Sequence, residues 1–268
     1  MNYLTPKEIT LVTAEAGEKK ATQKLLPMLV LAILAGAYIA FASVGATMAT
    51  QDLPLYSVAK LVSGAVFTVG LMMVMIGGAE LFTGNVLMVV GWLNGRYRGS
   101  LILRNWVVVY LGNLLGALII VGLMHYSGLW KVNGAGFAMA TVKAAYAKIQ
   151  LSFTEAFVRG VMANWLVCLA VWMVYSAKDT VGRIWAAFFP IMLFVISGYE
   201  HSIANMYFIP AGIMAAKVAV PTSIAADIAS LNWGTFLVNN LIPVTLGNLV
   251  GGAVLVGMTY YYIYLRQK

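Results

Sequence analysis

Long apolar runs separated by short charged links make up most of this chain, and their lengths predict helices that cross a membrane. Six spans are expected, at about 27–49, 60–92, 105–126, 153–176, 185–215 and 238–265. Each matches or exceeds the roughly 20 residues that a helix needs to cross a hydrocarbon core. The period-two alternation of a strand barrel is missing from these runs, so the expected class is an all-α integral membrane protein. Ahead of the first span, Thr5-Pro6-Lys7-Glu8 has the form of a capping box with proline in the first turn. Ile9, Val12 and Ala16 follow at helical spacing. Residues 1–24 are expected as a cytoplasmic amphipathic helix lying on the membrane or against a neighbour, with a plain soluble leader as the alternative. Residues 25–268 are expected as the transmembrane domain.

Polar residues interrupt two of these runs in the same way. Gly78-Ala79-Glu80-Leu81-Phe82-Thr83-Gly84-Asn85 breaks the second span near 81–85, and Gly198-Tyr199-Glu200-His201-Ser202-Ile203-Ala204-Asn205 breaks the fifth near 199–204. Both read Gly-x-Glu-x-x-x-x-Asn. Ionisable side chains at membrane depth are costly and mark functional positions. The boxes Leu111-Gly112-Asn113-Leu114 and Leu246-Gly247-Asn248-Leu249 repeat as well, and Gly36 corresponds loosely to Gly160. Three spans in each half is an odd number, so the second half is expected inverted relative to the first. Two broken helices then face each other near the bilayer midplane, as in transport proteins built from inverted repeats.

Composition strengthens the membrane reading: of 268 residues 62% are hydrophobic and 10% charged, and mean hydropathy is +0.87. The net charge of +8 does not point to nucleic acid, because the cations sit in the links. Lys7, Lys19, Lys20, Lys24, Arg96, Arg98, Arg104, Lys178, Arg183, Arg266 and Lys268 fall on one side; Lys60, Lys131, Lys143, Lys148 and Lys217 fall on the other. The positive-inside rule places both termini in the cytoplasm. Residues 1–24 have no early apolar core, so insertion is expected through the first span rather than a secretory signal. Cys168 stands alone in an apolar run and reads as a packing residue.

Three kinds of residue carry possible chemistry. Thr83-Gly84-Asn85 is either a structural kink or a place where freed amides and the Thr83 hydroxyl meet an anion. His201 is either a satisfied core residue or the group that exchanges a proton near neutral pH. Glu80 and Glu200, with Asn85 and Asn205, are expected as structural acceptors and donors that pin the breaks, in preference to a proton relay. Glu155 and Arg159, one turn apart, are expected to pair within their helix. Phe67, Leu71, Leu81, Phe82 and Phe194 surround the breaks and suggest dry constrictions above and below a polar point.

The stretches Glu80 to Asn85 and Gly198 to Met206, with Asn240-Leu241-Ile242-Pro243-Val244-Thr245 followed by Gly247-Asn248, resemble the signatures of the formate/nitrite transporter family from about residue 25 to the end. The resemblance implies an aquaporin-like protomer in a homopentamer, each protomer with its own pore in the cell (inner) membrane. It implies that Thr83 lies in an Ω-shaped interruption, that His201 is the central pore histidine, and that Lys148 makes a vestibule attractive to anions. Leu81, Phe82 and Val167 match the cytoplasmic constriction, Phe67, Leu71 and Phe194 the periplasmic one, and Asn164 and Asn240 polar lining positions. The substrates implied are small monovalent weak-acid anions: formate first, hydrosulfide or nitrite close behind.

On this reading Lys148 gathers anions, Thr83 and His201 hold one, and a proton delivered through or near His201 yields a neutral acid that passes the apolar rings. A neutral-solute channel of the aquaporin or urea type is the nearest alternative, but the paired Asn-Pro-Ala boxes are missing. A membrane metalloenzyme would have to use Glu80, Glu200, His201 and possibly His125; no cofactor or metal is expected. A scaffold protein would not need polar groups at midplane breaks.

Overall fold

The computed structural model describes residues 3–266, so Lys268 of the charge argument lies outside the described residues. Among these residues the chain forms ten longer helices: α1 (Pro6–Ala21), α2 (Leu25–Thr50), α3 (Tyr56–Gly77), α4 (Phe82–Leu93), α5 (Gly99–Tyr126), α6 (Gly136–Ile149), α7 (Phe153–Ser176), α8 (Thr180–Ile196), α9 (Ser202–Ala215) and α10 (Trp233–Tyr264), with 3-10 segments at Leu129–Lys131 and Thr222–Ser230 in the links. Five of them, α2, α3, α5, α7 and α10, are long and apolar enough to cross a membrane. The second and fifth expected spans are each split, into α3 with α4 and into α8 with α9.

Both splits sit a few residues earlier than the polar pattern suggested. The first helix of each pair ends at a left-handed glycine, Gly78 with φ 79° and Gly198 with φ 73°. A side chain is strained there, whereas glycine closes a helix end without cost. The chain then runs non-helically to Leu81 or His201 and restarts at Phe82 or Ser202. Thr83-Gly84-Asn85 is therefore the first turn of α4, not the interruption itself.

The N-terminal helix forms as its capping box dictates. Thr5 accepts from the Glu8 backbone, and the Glu8 carboxylate accepts from the Thr5 hydroxyl and the Thr5 backbone N–H, each at 2.7 Å, which together hold that carboxyl below its ordinary range. Of the alternatives, α1 lies against neighbours. It packs on α4, α7 and α10. The Leu4 backbone donates to Ser176 O at 3.0 Å, and Arg96 pairs with Glu18 at 2.9 Å. The buried stripe is Ile9, Thr10, Thr13, Ala14, Gly17 and Ala21, not Ile9, Val12 and Ala16. Small residues and threonines that return their hydroxyls to Pro6 O and Ile9 O let α1 approach α4 closely.

Helix α6, in the link between the third and fourth expected spans, went unpredicted. Phe137, Ala138, Thr141, Val142, Ala145 and Ile149 form its buried stripe, and it packs on α9. In α7, Glu155 caps Ser152 at 2.9 Å and makes no ion pair with Arg159 within 4 Å, because the capping box already holds the carboxylate. Helix α10 carries two π-helical stretches, Phe236–Leu241 and Val250–Met258. Each adds backbone to the turn, and such stretches often accompany functional positions.

The packing of α2 with α5 recurs in α7 with α10. A Cβ on Gly116 would collide with Ile33 O and crowd Ala37 N; one on Gly251 would collide with Val161 O and crowd Trp165 N. Small residues permit this backbone approach. Asn113 donates to Ala32 O as Asn248 donates to Gly160 O, so Gly160 corresponds to Ala32, one turn before Gly36.

Candidate functional site

Each restart leaves a backbone N–H that membrane interior cannot satisfy, and at each place an asparagine from another helix accepts it. Asn113 Oδ1 accepts from Phe82 N at 2.9 Å, while its amide donates to Ala32 O at 2.7 Å and Glu80 O at 2.9 Å. Asn248 Oδ1 accepts from Ser202 N at 2.9 Å, while its amide donates to Gly160 O at 2.8 Å and Glu200 O at 3.0 Å. Both asparagines are fully buried and have all their partners in protein.

The two glutamates are wired alike. Glu80 accepts from Asn85 at 2.6 Å and pairs with Lys20 of α1 at 2.7 Å; Asn85 also donates to Asn105 Oδ1 at 2.9 Å. Glu200 accepts from Asn205 at 2.6 Å and pairs with Lys148 of α6 at 3.0 Å; Asn205 also donates to Asn240 Oδ1 at 2.7 Å. Asn240 in turn donates to Lys148 O at 3.0 Å. A buried carboxylate without such partners would be severely penalised. The Lys148 ammonium is thus paired with Glu200 and lies 5.2 Å from the Phe208 ring centroid.

Between the breaks, one contact joins them. Thr83 Oγ1 lies 2.8 Å from His201 Nε2, and both side chains are buried. The Ala204 backbone N–H donates to His201 Nδ1 at 3.1 Å, so Nδ1 carries no proton. The neutral ring therefore holds its proton on Nε2, which donates to Thr83 Oγ1. The Thr83 O–H is left to donate elsewhere. This tautomer follows from a main-chain bond.

The Thr83 carbonyl is held from the other side. Asn164 donates to it at 3.2 Å and to Asn248 O at 2.7 Å, and the Cys168 thiol donates to it at 3.3 Å. Cys168 is a packing residue with this added role. Asn164 Oδ1 and Ser202 Oγ are buried without a protein partner. Gly252 completes the floor, because a Cβ there would strike Val86, Asn164 and Cys168.

Apolar side chains border this polar point. Phe194 lies 5.9 Å from the His201 ring and 5.7 Å, edge-on, from Phe67. Phe82 meets Tyr110 edge-on at 4.8 Å and Trp106 at 6.2 Å. Leu71, Leu81 and Val167 are buried in the same core. His125 is not among them: it meets Tyr126 edge-on and Trp130 at a tilt. Among the described residues no three of the His, Cys, Asp and Glu side chains are placed to hold a metal ion.

Sequence reasoning paired Glu80 with Glu200 and Asn85 with Asn205, but passed over Lys20 and Asn105, and used Asn113 and Asn248 only as repeat markers. Constant spacing was the available signal. Lys20 and Lys148 are 128 apart, as are Ala32 and Gly160, while Asn105 and Asn240 share the 135 offset of the Leu-Gly-Asn-Leu boxes.

Residues 7–262 match the family described as "Formate/nitrite transporter". The chain is 41% identical over 276 residues to the formate channel FocA of Escherichia coli (strain K12), covering 100% of this chain and 96% of that protein. It is 38% identical to a probable formate transporter of Methanothermobacter thermautotrophicus, covering 99% of each. Among solved structures it is similar to a pentameric formate channel with formate bound, at TM-score 0.80 and 40% identity over 92% of this chain and 99% of that one. An FNT family ion channel aligns at TM-score 0.83 and 28% identity, over 96% and 98%. The chain belongs to the formate/nitrite transporter family.

Proposed function

We propose that this protein is a homopentameric membrane channel for small monovalent weak-acid anions, formate first and hydrosulfide or nitrite next, which cross with a proton as the neutral acid. In this reading α2, α3–α4 and α5 form one set of three crossings, and α7, α8–α9 and α10 form a second, inverted set. The cation distribution puts both termini in the cytoplasm, in the inner membrane. The pentamer and the formate preference rest on the relatives described above.

The observation that carries the proposal is the Thr83–His201 contact, a buried hydroxyl from one break held against a buried imidazole from the other. An anion arriving between the rings meets the Thr83 O–H as donor, because His201 has turned the hydroxyl's acceptor side toward itself. Bare anions pay heavily to pass Phe67, Leu71 and Phe194 on one side, or Leu81, Phe82 and Val167 on the other; the neutral acid does not. Both imidazole nitrogens are committed, Nδ1 as acceptor and Nε2–H as donor. The proton that neutralises the anion is therefore a solvated proton, brought as hydronium to the anion near His201 and leaving water behind, with the ring as the orienting group. Asn164 and Asn240 line the same route, Asn164 through its unpaired Oδ1 and Asn240 beside Glu200. Lys148 supplies positive potential damped by Glu200, so it draws anions without trapping them.

The test is a flux panel of formate, nitrite, hydrosulfide and chloride in proteoliposomes across pH. Formate flux is expected to rise as pH falls, with chloride excluded because it has no neutral acid in that range. Chloride passage at the formate rate, or formate flux indifferent to pH, overturns the proposal.

A further inference from the structure

One hydrogen bond joins α5 to α10 outside the site just described. Tyr110 Oη and Thr245 Oγ1 lie 2.8 Å apart. The two residues immediately precede the Leu-Gly-Asn-Leu boxes and so occupy equivalent positions, 135 apart. Serine and threonine hydroxyls elsewhere in these helices fold back onto their own carbonyls: Ser43 to Ile39 O, Thr47 to Ser43 O, Thr50 to Ala46 O, Thr141 to Phe137 O. Thr245 instead has a partner on another helix.

What the bond holds is an aromatic ring against Phe82. Two rings flank Phe82, and each is tethered by its own polar atom. Trp106 Nε1 donates to Asn85 O at 3.0 Å, a tether within the same broken segment that carries Phe82. Tyr110 is tethered to Thr245, which belongs to the helix that supplies Asn248 and Asn240 to the other break. The Phe82 ring, edge-on to Tyr110 at 4.8 Å, therefore takes its position from both sets of helices. A free phenol ring would swing or slide, and Phe82 would follow it.

We propose that the Tyr110–Thr245 hydrogen bond is a strut that positions the Phe82 ring and thereby sets the size limit for the permeant anion. The inference rests on the reading of Phe82 as part of an apolar constriction in an anion pathway. Tyr110 and Thr245 are positioning residues; neither needs to touch the anion.

The experiment measures formate and acetate flux in proteoliposomes for the wild type, Tyr110→Phe, Thr245→Val, the double variant and Thr245→Ser. Both single changes keep the ring or the branched shape and remove one hydroxyl. Each is expected to raise the acetate-to-formate flux ratio several-fold, part of the roughly 10–200-fold that one methylene is worth in an apolar pocket. The double variant is expected to match either single one, since both remove the same bond. Thr245→Ser is expected to retain the wild-type ratio. An unchanged ratio in the two single variants, or a proportional fall in both fluxes, overturns the strut. Wild-type vesicles that pass neither anion refute the channel reading itself, whatever the variants do.

Discussion

The two breaks are built from one plan and differ at the positions that matter for chemistry. Glycine in the left-handed conformation, glutamate with its lysine, the helix-borne asparagine and the capping asparagine recur with the same partners. Five of the eight positions do not recur, and two of these bring the breaks together. Leu81 stands where the other break has His201, and Ile203 stands where this one has Thr83. The shared residues satisfy backbone and charge that any broken helix in a membrane must satisfy. The unshared pair, one from each break, forms the buried hydroxyl–imidazole contact. The repeated residues thus supply the scaffold, and the unshared ones supply the contact proposed as the site.

The comparison breaks most visibly if the scaffold networks prove unequal. Glu80→Leu and Glu200→Leu each strand a lysine and the asparagine amides. Both should cost about 3–5 kcal/mol, the usual penalty for removing one partner of a buried pair. Thermal unfolding of the detergent-solubilised protein reads this loss. A near-neutral effect of either change ends the claim that both networks are structural.

The divergent positions give the next effect. Thr83→Val deletes the hydroxyl proposed to face the anion. Formate flux in proteoliposomes should fall about tenfold or more, as expected for a hydrogen bond to a charged group worth about 1.5–3 kcal/mol. The matching change Ile203→Val at the other break should leave flux within about twofold, since it removes one methyl group from a packed core. Equal losses at the two positions would mean that Thr83 acts through packing alone. His201→Asn sharpens the same point. If the imidazole orients Thr83 and carries no proton, flux falls while the pH profile keeps its shape; a flattened profile makes the ring the proton's carrier.

A smaller loss of stability is expected beneath the pair. Gly252→Ala places a methyl group against Val86, Asn164 and Cys168, and overpacking of this kind costs about 1–3 kcal/mol. Its flux should fall as well, because Asn164 and Cys168 hold the Thr83 carbonyl. Smallest of all, Thr5→Ala removes the α1 cap and should cost about 1 kcal/mol, read as faster amide exchange over residues 6–21.

Much of this architecture was legible because membrane residence writes itself into sequence. Span length and the repeated Gly-x-Glu-x-x-x-x-Asn are local features, and hydrocarbon forbids most alternatives to them. Helix α6 was hidden because its apolar stripe is short and carries two lysines, so it resembled a link. The placement of the breaks was missed because polarity marks where partners are needed, whereas the left-handed glycine marks where the helix ends.

The sequence by itself determined that the chain is a membrane protein with two equivalent interrupted segments, and it singled out Thr83 in one and His201 in the other. Tertiary structure decided which partners those segments share. Only packing brings Lys20 to Glu80 across 60 residues and Lys148 to Glu200 across 52. Only the fold sets an Ala204 amide against His201 Nδ1 and so chooses the tautomer. The reason is physical: need for a partner is a property of one residue in a given solvent, but its satisfaction depends on geometry that distant parts of the chain must supply.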